Sequence, residues 1–303
     1  MESQRQRRAE LYQLLGKLPA REGEVQAELL SRTDLAYGQL EKLRLTLNDE
    51  EPVPAYYIKP HGAEGKLPLV IYNHSHGGFY KVGKDEVLQG AVYLQQPPYA
   101  EALCREGYAV LAIDHWAFGE RSTRKESHIF KDLLWRGRVM WGMMVFDSLR
   151  ALDYAAARPD VDANRIATLG MSMGSTMSWW LAALDERIRA TVDLCCLSDY
   201  DALRETGDMD GHNFYYFVPD LLNHFTSADI NALIVPRAHL SLAGERDRFT
   251  PKAGLDRIEP QLRAAYEAAG AGDRWQLSRY PEAGHEETPG MREEAIAFLR
   301  KWI

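Results

Sequence analysis

The segment RIATLGMSMGSTMSWWLAAL, residues 165–184, carries a buried-strand pattern into a helix pattern through a single serine. Within it, Gly170-Met171-Ser172-Met173-Gly174 has the form G-x-S-x-G. A turn that tight leaves no room for side chains at the flanking positions, so glycine fits there. Its strain points the serine hydroxyl out of the top of a sheet. The helix expected from Ser172 onward offers unpaired N–H groups and the positive end of its dipole to any negative charge that develops there. A tight strand–helix turn with an incidental serine would be spelled the same way. The position between a strand and a helix is what marks Ser172 as a nucleophile.

Outward from this turn, short apolar runs alternate with helical patterns. The runs at 67–73, 108–114, 165–170, 188–197 and 237–244 read as strands covered on both faces. Helices are expected at about 98–106, 127–157, 172–184, 256–269 and 290–302, with a last strand at 274–280. The pattern predicts an α/β fold, with a mostly parallel twisted sheet and helices on both faces. An alternating segment at 39–48 and its partner at 53–60 read as an antiparallel hairpin at the N-terminal edge. Residues 1–37 read as a helical extension before a domain spanning 38–303. About 40 residues separate the fourth and fifth buried strands, longer than a one-helix connection needs. A helical, cap-like insertion is therefore expected at about 198–236, over the carboxyl edge of the sheet, where open α/β folds bind ligands.

A serine hydroxyl needs a base to take its proton. Of nine histidines, His285 stands in YPEAGHEETPG, after the last strand and before the last helix, which places it at the top of the sheet. The base needs a carboxylate to fix its tautomer. The loop SLAGERDRFTP, residues 241–251, offers Asp247, with Glu245 as runner-up. The order Ser172, Asp247, His285 is that of the α/β hydrolases, not of the trypsin or subtilisin type. The oxyanion of a tetrahedral intermediate also needs donors. The N–H of Met173 is one. The other falls in YNHSHGGFY, residues 72–80, on His76 or alternatively Gly78. His74 and His76 have no acidic or cysteine cluster around them, so no metal site is expected.

The chain has 303 residues, a formal charge of −8 and 46% hydrophobic residues. That charge argues against nucleic-acid binding. Cys104, Cys195 and Cys196 show neither ligand spacing nor a disulfide framework. The arginine-bearing N-terminus lacks an apolar core and a cleavage site, and no run approaches a membrane span, so a cytoplasmic location is expected.

NHSHGG (73–78), AIDHWAFGERS (112–122), DANRIATLGMSMGS (162–175), GERDRFTP (244–251) and PEAGHEE (281–287) together resemble the α/β-hydrolase superfamily, in its dienelactone hydrolase and acetyl xylan esterase-like branch. The resemblance implies a serine hydrolase without metal or organic cofactor, acting on esters, lactones or acetylated sugars through an acyl-enzyme. Acyl transfer or peptide cleavage by the same residues is the alternative, and a non-catalytic binding protein a lesser one. Dienelactone hydrolases proper carry cysteine at the elbow, where this chain has Ser172. Ser75 replaces the glycine of the commoner His-Gly signature. The resemblance implies a bracing role for Asp114. Phe79, Trp116, Phe118, Phe214, Tyr215 and Phe217 are candidate pocket residues, with Tyr80, Trp179 and Trp180 near them. The expected partner is a small-molecule ester; a homodimer is left open.

Overall fold

The computed structural model describes residues 2–206 and 209–303. A nine-stranded sheet runs through the molecule in the order β1-β2-β3-β5-β4-β6-β7-β8-β9. Its strands are β1 (Gln26–Leu35), β2 (Gly38–Thr46), β3 (Val53–Pro60), β4 (Leu67–Asn73), β5 (Ala109–Ile113), β6 (Val161–Met171), β7 (Ile188–Leu194), β8 (Ala238–Gly244) and β9 (Trp275–Tyr280). The helices are α1 (Glu2–Gln13), α2 (Glu86–Gln89), α3 (Tyr99–Arg105), α4 (Glu126–Trp135), α5 (Met140–Ala157), α6 (Met173–Leu184), α7 (Tyr200–Thr206), α8 (Ser227–Ala232), α9 (Lys252–Ala268) and α10 (Pro289–Trp302).

Strands β4 to β9 are parallel to one another, and β1 to β3 join antiparallel at one end. Every residue of β5 and β8 is buried, which is why these strands read as unbroken apolar runs. Two large core clusters fill the two faces of the sheet. One gathers α1, α4, α5 and α6; the other gathers α3 and α10. Helix α6 is buried from Met173 to Ala183, which is why its sequence carries no charged residue.

The chain moves outward in both directions from the middle of this sheet. From β4 it crosses to β5 on one side, and from β6 to β7 on the other. The loops after β4 and β6 therefore diverge and leave a crevice at the carboxyl ends of two neighbouring strands.

Two expectations are corrected. The N-terminal 37 residues are not simply helical, since β1 pairs with β2 along Gln26–Leu35 and turns the expected hairpin into a three-stranded meander. Nine of its ten residues are exposed, so no alternation marked it. The single helix expected at 127–157 is two, α4 and α5, broken where Gly137 takes φ +71° and its carbonyl accepts from Lys17 N–H.

Candidate active site

Ser172 stands between β6 and α6 with φ 57° and ψ −118°, a conformation that L-residues avoid. Its flanking glycines are required by contact. A Cβ on Gly174 would lie 1.9 Å from the Asn73 carbonyl oxygen, and one on Gly170 would lie 2.5 Å from Gly174. The strained turn is held by the Ser172 N–H, which donates to the Leu194 carbonyl at 2.9 Å.

His285 arrives on the loop between β9 and α10. Its Nε2 lies 2.8 Å from Ser172 Oγ, and its Nδ1 lies 2.7 Å from Asp247 Oδ2. The carboxylate fixes the proton on Nδ1, which leaves Nε2 free to accept from the serine. Asp247 is buried, and its other oxygen accepts the Phe249 N–H at 2.8 Å. Glu245 turns away to Lys252 Nζ and Arg279 Nε, each at 3.0 Å. The His285 loop is clamped from behind. Glu287 is buried, accepts from Gln95 N–H and Tyr99 Oη–H, and pairs with Arg292 at 2.7 Å.

The loop after β4 brings His76 to the same crevice. Gly78 N–H donates to His76 Nδ1 at 3.0 Å, so the ring proton sits on Nε2, which donates to Tyr215 Oη at 2.9 Å. The ring also lies against Phe118 and Tyr80, at 5.3 and 5.5 Å between centroids. Burial, with His74, His285 and His212 nearby, holds this imidazole down to about 4. His74 faces elsewhere: its Nδ1 meets Ser75 O, its Nε2 accepts from His115 N–H, and burial lowers its pKa too. The two histidines thus point to different partners.

Glu86 pins the base of this loop. Its carboxylate accepts from Ser75 N–H at 2.9 Å, from Ser75 Oγ–H and from Tyr72 and Tyr93 hydroxyls. Asp114, expected to brace the loop, acts a few residues downstream. It accepts from Lys84 N–H at 2.8 Å and Glu120 N–H at 3.0 Å, and pairs with Lys84 Nζ at 2.9 Å.

The insertion between β7 and β8 forms the opposite wall. It consists of α7, α8 and short 3-10 turns. Glu126, at the start of α4, seats it: one oxygen accepts the Tyr215 N–H at 2.9 Å and the other the Tyr80 hydroxyl at 3.1 Å. Desolvation raises the pKa of this carboxyl. The cavity so enclosed measures about 370 Å³ and reaches Ser172, Met173, His285, His76, Tyr215 and Phe249. Cys196, His212, Asn213 and Tyr216 also line it.

A family model described as acetyl xylan esterase (AXE1) matches residues 20–226. The chain belongs to the acetyl xylan esterase (AXE1) family. It is a hydrolase of the carboxylesterase type. It is 49% identical over 298 residues to the "Putative hydrolase YtaP" of Bacillus subtilis (strain 168), covering 98% of this chain and 99% of that one. Among solved structures, "a putative acetyl xylan esterase" from Bacteroides fragilis aligns with a TM-score of 0.76 at 19% identity, over 98% of this chain and 86% of that one. Acetyl xylan esterase 1 from Thermoanaerobacterium sp. JW/SL YS485 aligns at 0.67 and 19%, over 99% and 93%. At such identities the structural likeness carries the fold alone.

In this AXE1-family chain several expected pocket residues stand elsewhere. Trp116 and Phe118 are buried. Ala117 takes φ 73°, and the loop folds Phe118 beneath His76 and Tyr80 while Trp116 packs under Arg121. Trp179 and Trp180 stack on each other within the core. Phe79 is 59% exposed and borders a separate surface hollow. Phe214 leans outward on Phe130, and Phe217 rims a second hollow. Tyr215 and Tyr80 do line the cavity. Glu86 and Glu126, at the first positions of short helices, and His212, Phe249 and Glu287, in loops, carry no signal in the sequence, because a lone polar or aromatic residue has no spacing partner. Among the described residues no group of three or more His, Cys, Asp or Glu is placed to hold a metal ion, and no helix is long and apolar enough to cross a membrane.

Proposed function

We propose that the chain hydrolyses neutral carboxylic esters by a two-step acyl transfer at Ser172. The observation that carries this reading is the relay from Asp247 Oδ2 to His285 and from His285 to Ser172 Oγ, at 2.7 and 2.8 Å. Ser172 Oγ attacks the ester carbonyl as His285 Nε2 takes its proton. Asp247 holds the tautomer and stabilises the imidazolium. The carbonyl oxygen gains charge and is met by the N–H of Met173, one of the first N–H groups of α6 with no intrahelical acceptor. The second donor is the His76 N–H. The alternative, Gly78 N–H, is already engaged with His76 Nδ1. The intermediate collapses, and His285 gives its proton to the departing alcohol. Water then enters, His285 removes one of its protons, and the acyl group leaves as the carboxylic acid with Ser172 restored.

No Lys or Arg lines the cavity among the described residues, so it offers no permanently charged partner to an anionic acyl or alcohol group. That favours uncharged esters, in keeping with the acetyl esters named in the family description. The insertion acts as a cap over this site, and no cofactor or metal enters the proposed chemistry. The test is hydrolysis of 4-nitrophenyl acetate by the wild type and by Ser172→Ala. The reading predicts turnover in the first and a loss of several orders of magnitude in the second, with an unchanged melting curve. Equal turnover in both would overturn it.

A further inference from the structure

The insertion holds a second hollow next to the Ser172 cavity. It measures about 170 Å³, and Leu203, Val218, Leu221 and Leu222 give it apolar walls, with Tyr200 and Arg204 at its side. Two residues, His212 and Tyr216, belong to both hollows. Their rings stack with centroids 4.5 Å apart and planes at 22°, so this stacked pair separates the two spaces. On the Ser172 side, His212 meets the Phe249 ring edge-on at 5.9 Å, and Phe249 touches the His285 ring at 4.8 Å. The partition therefore stands two ring contacts from the proposed base.

The two partition rings are held differently. Tyr216 is buried, with Tyr200 against it at 5.5 Å and Trp141 at 6.4 Å. His212 is half-buried and sits between two 3-10 turns, Met209–Gly211 and Phe214–Tyr216. It is the less buried member of the pair. The mouth of the hollow is apolar as well: Met209, Phe217 and Leu222 are 44%, 40% and 38% exposed. Clustered exposed apolar side chains around a concave surface mark a place where something apolar binds. An apolar cavity of about 150 Å³ accepts a benzene-sized guest, so this one suits an arm of about six carbons.

We propose that this hollow is a subsite for an apolar arm of the ester, entered from the Ser172 cavity past His212. The proposal rests on the ester-hydrolase reading above and extends it to substrate selection. The arm is either the acyl chain or the alcohol, and two substrate series distinguish them. One compares 4-nitrophenyl hexanoate with 4-nitrophenyl acetate; the other compares hexyl acetate with ethyl acetate. The readout is the ratio of kcat/KM for the long over the short ester within each variant, so a partial loss of folded protein cancels.

Val218→Trp and Leu222→Trp fill the hollow and should each lower the ratio about ten-fold in one of the two series. That series identifies the arm. His212→Ala removes half of the partition and should raise the ratio in the same series. Ratios that stay at the wild-type value in both series, for all three variants, overturn the subsite. Failure of the underlying reading looks different: short esters are then not hydrolysed by the wild type, or are hydrolysed equally by Ser172→Ala.

Discussion

The carboxyl end of the sheet and the insertion that faces it are built on different principles. At the sheet end, positions are dictated by backbone contact. Gly170 and Gly174 are fixed by atoms that would lie within 2.6 Å of a Cβ, and Ser172, Asp247 and His285 each end or follow a strand. The insertion has little regular structure. It is held by ring stacking, as between His212 and Tyr216, and by a few hydrogen bonds, as from Tyr215 N–H to Glu126. The contrast teaches that the first region tolerates no change, while the second can be retuned by degrees. His76 is the seam: its backbone belongs to the sheet-end loop, and its ring is hydrogen-bonded to Tyr215 of the insertion.

The contrast predicts steep losses at the sheet end. Asp247→Asn should cut kcat about 10⁴-fold at unchanged fold, because the amide would place a donor against His285 Nδ1 and force the wrong tautomer. A kcat within a few-fold of wild type would show that His285 is oriented by something else. Next in size, Gly174→Ala should cost about 3 kcal/mol or more of unfolding free energy in urea titrations, since the added methyl would overlap the Asn73 carbonyl.

A pH effect follows at the seam. Burial holds His74, His76 and His115 below their ordinary value, with His76 at about 4. Below about pH 6.5 the unfolded chain takes up protons that these folded imidazoles refuse. Their contribution to stability is therefore complete above pH 6.5 and is lost as pH falls below it, the loss at His76 running down to about pH 4. The slope is about 1.4 kcal/mol per pH unit for each fully linked histidine. Urea titrations at pH 7.5 and 5.5 should show the lower stability at 5.5; an equal or higher value would contradict the burial of these rings.

The smallest effect belongs to the insertion. Tyr215→Phe strips the acceptor from His76 Nε2–H and should lower kcat about ten-fold, with KM changed less. A rise in KM alone would make Tyr215 a binding residue and detach the insertion from the oxyanion loop.

The two regions also differed in what the sequence disclosed. G-x-S-x-G, the apolar runs and the order Ser172, Asp247, His285 are legible because strand burial and tight turns restrict residue type at each position. The parallel sheet and its edge partners followed from the same runs, although β1 escaped because almost none of it is buried. The aromatic residues of the cavity were legible only as a list. Whether Phe118 lines a pocket or lies beneath His76 depends on the φ of 73° at Ala117, which is not written in its residue type. Glu287 reaches Gln95 across 192 residues, and Glu86 reaches back 11 residues to Ser75 through an irregular loop, so neither leaves a periodic pattern.

The most direct test of the whole arrangement is active-site labelling. A fluorophosphonate should attach to one serine in the native protein, and peptide mass spectrometry should locate the adduct at Ser172. The reaction should be lost in Ser172→Ala and slowed by orders of magnitude in His285→Ala. An adduct on another residue, or unlabelled protein that still hydrolyses esters, would contradict the account.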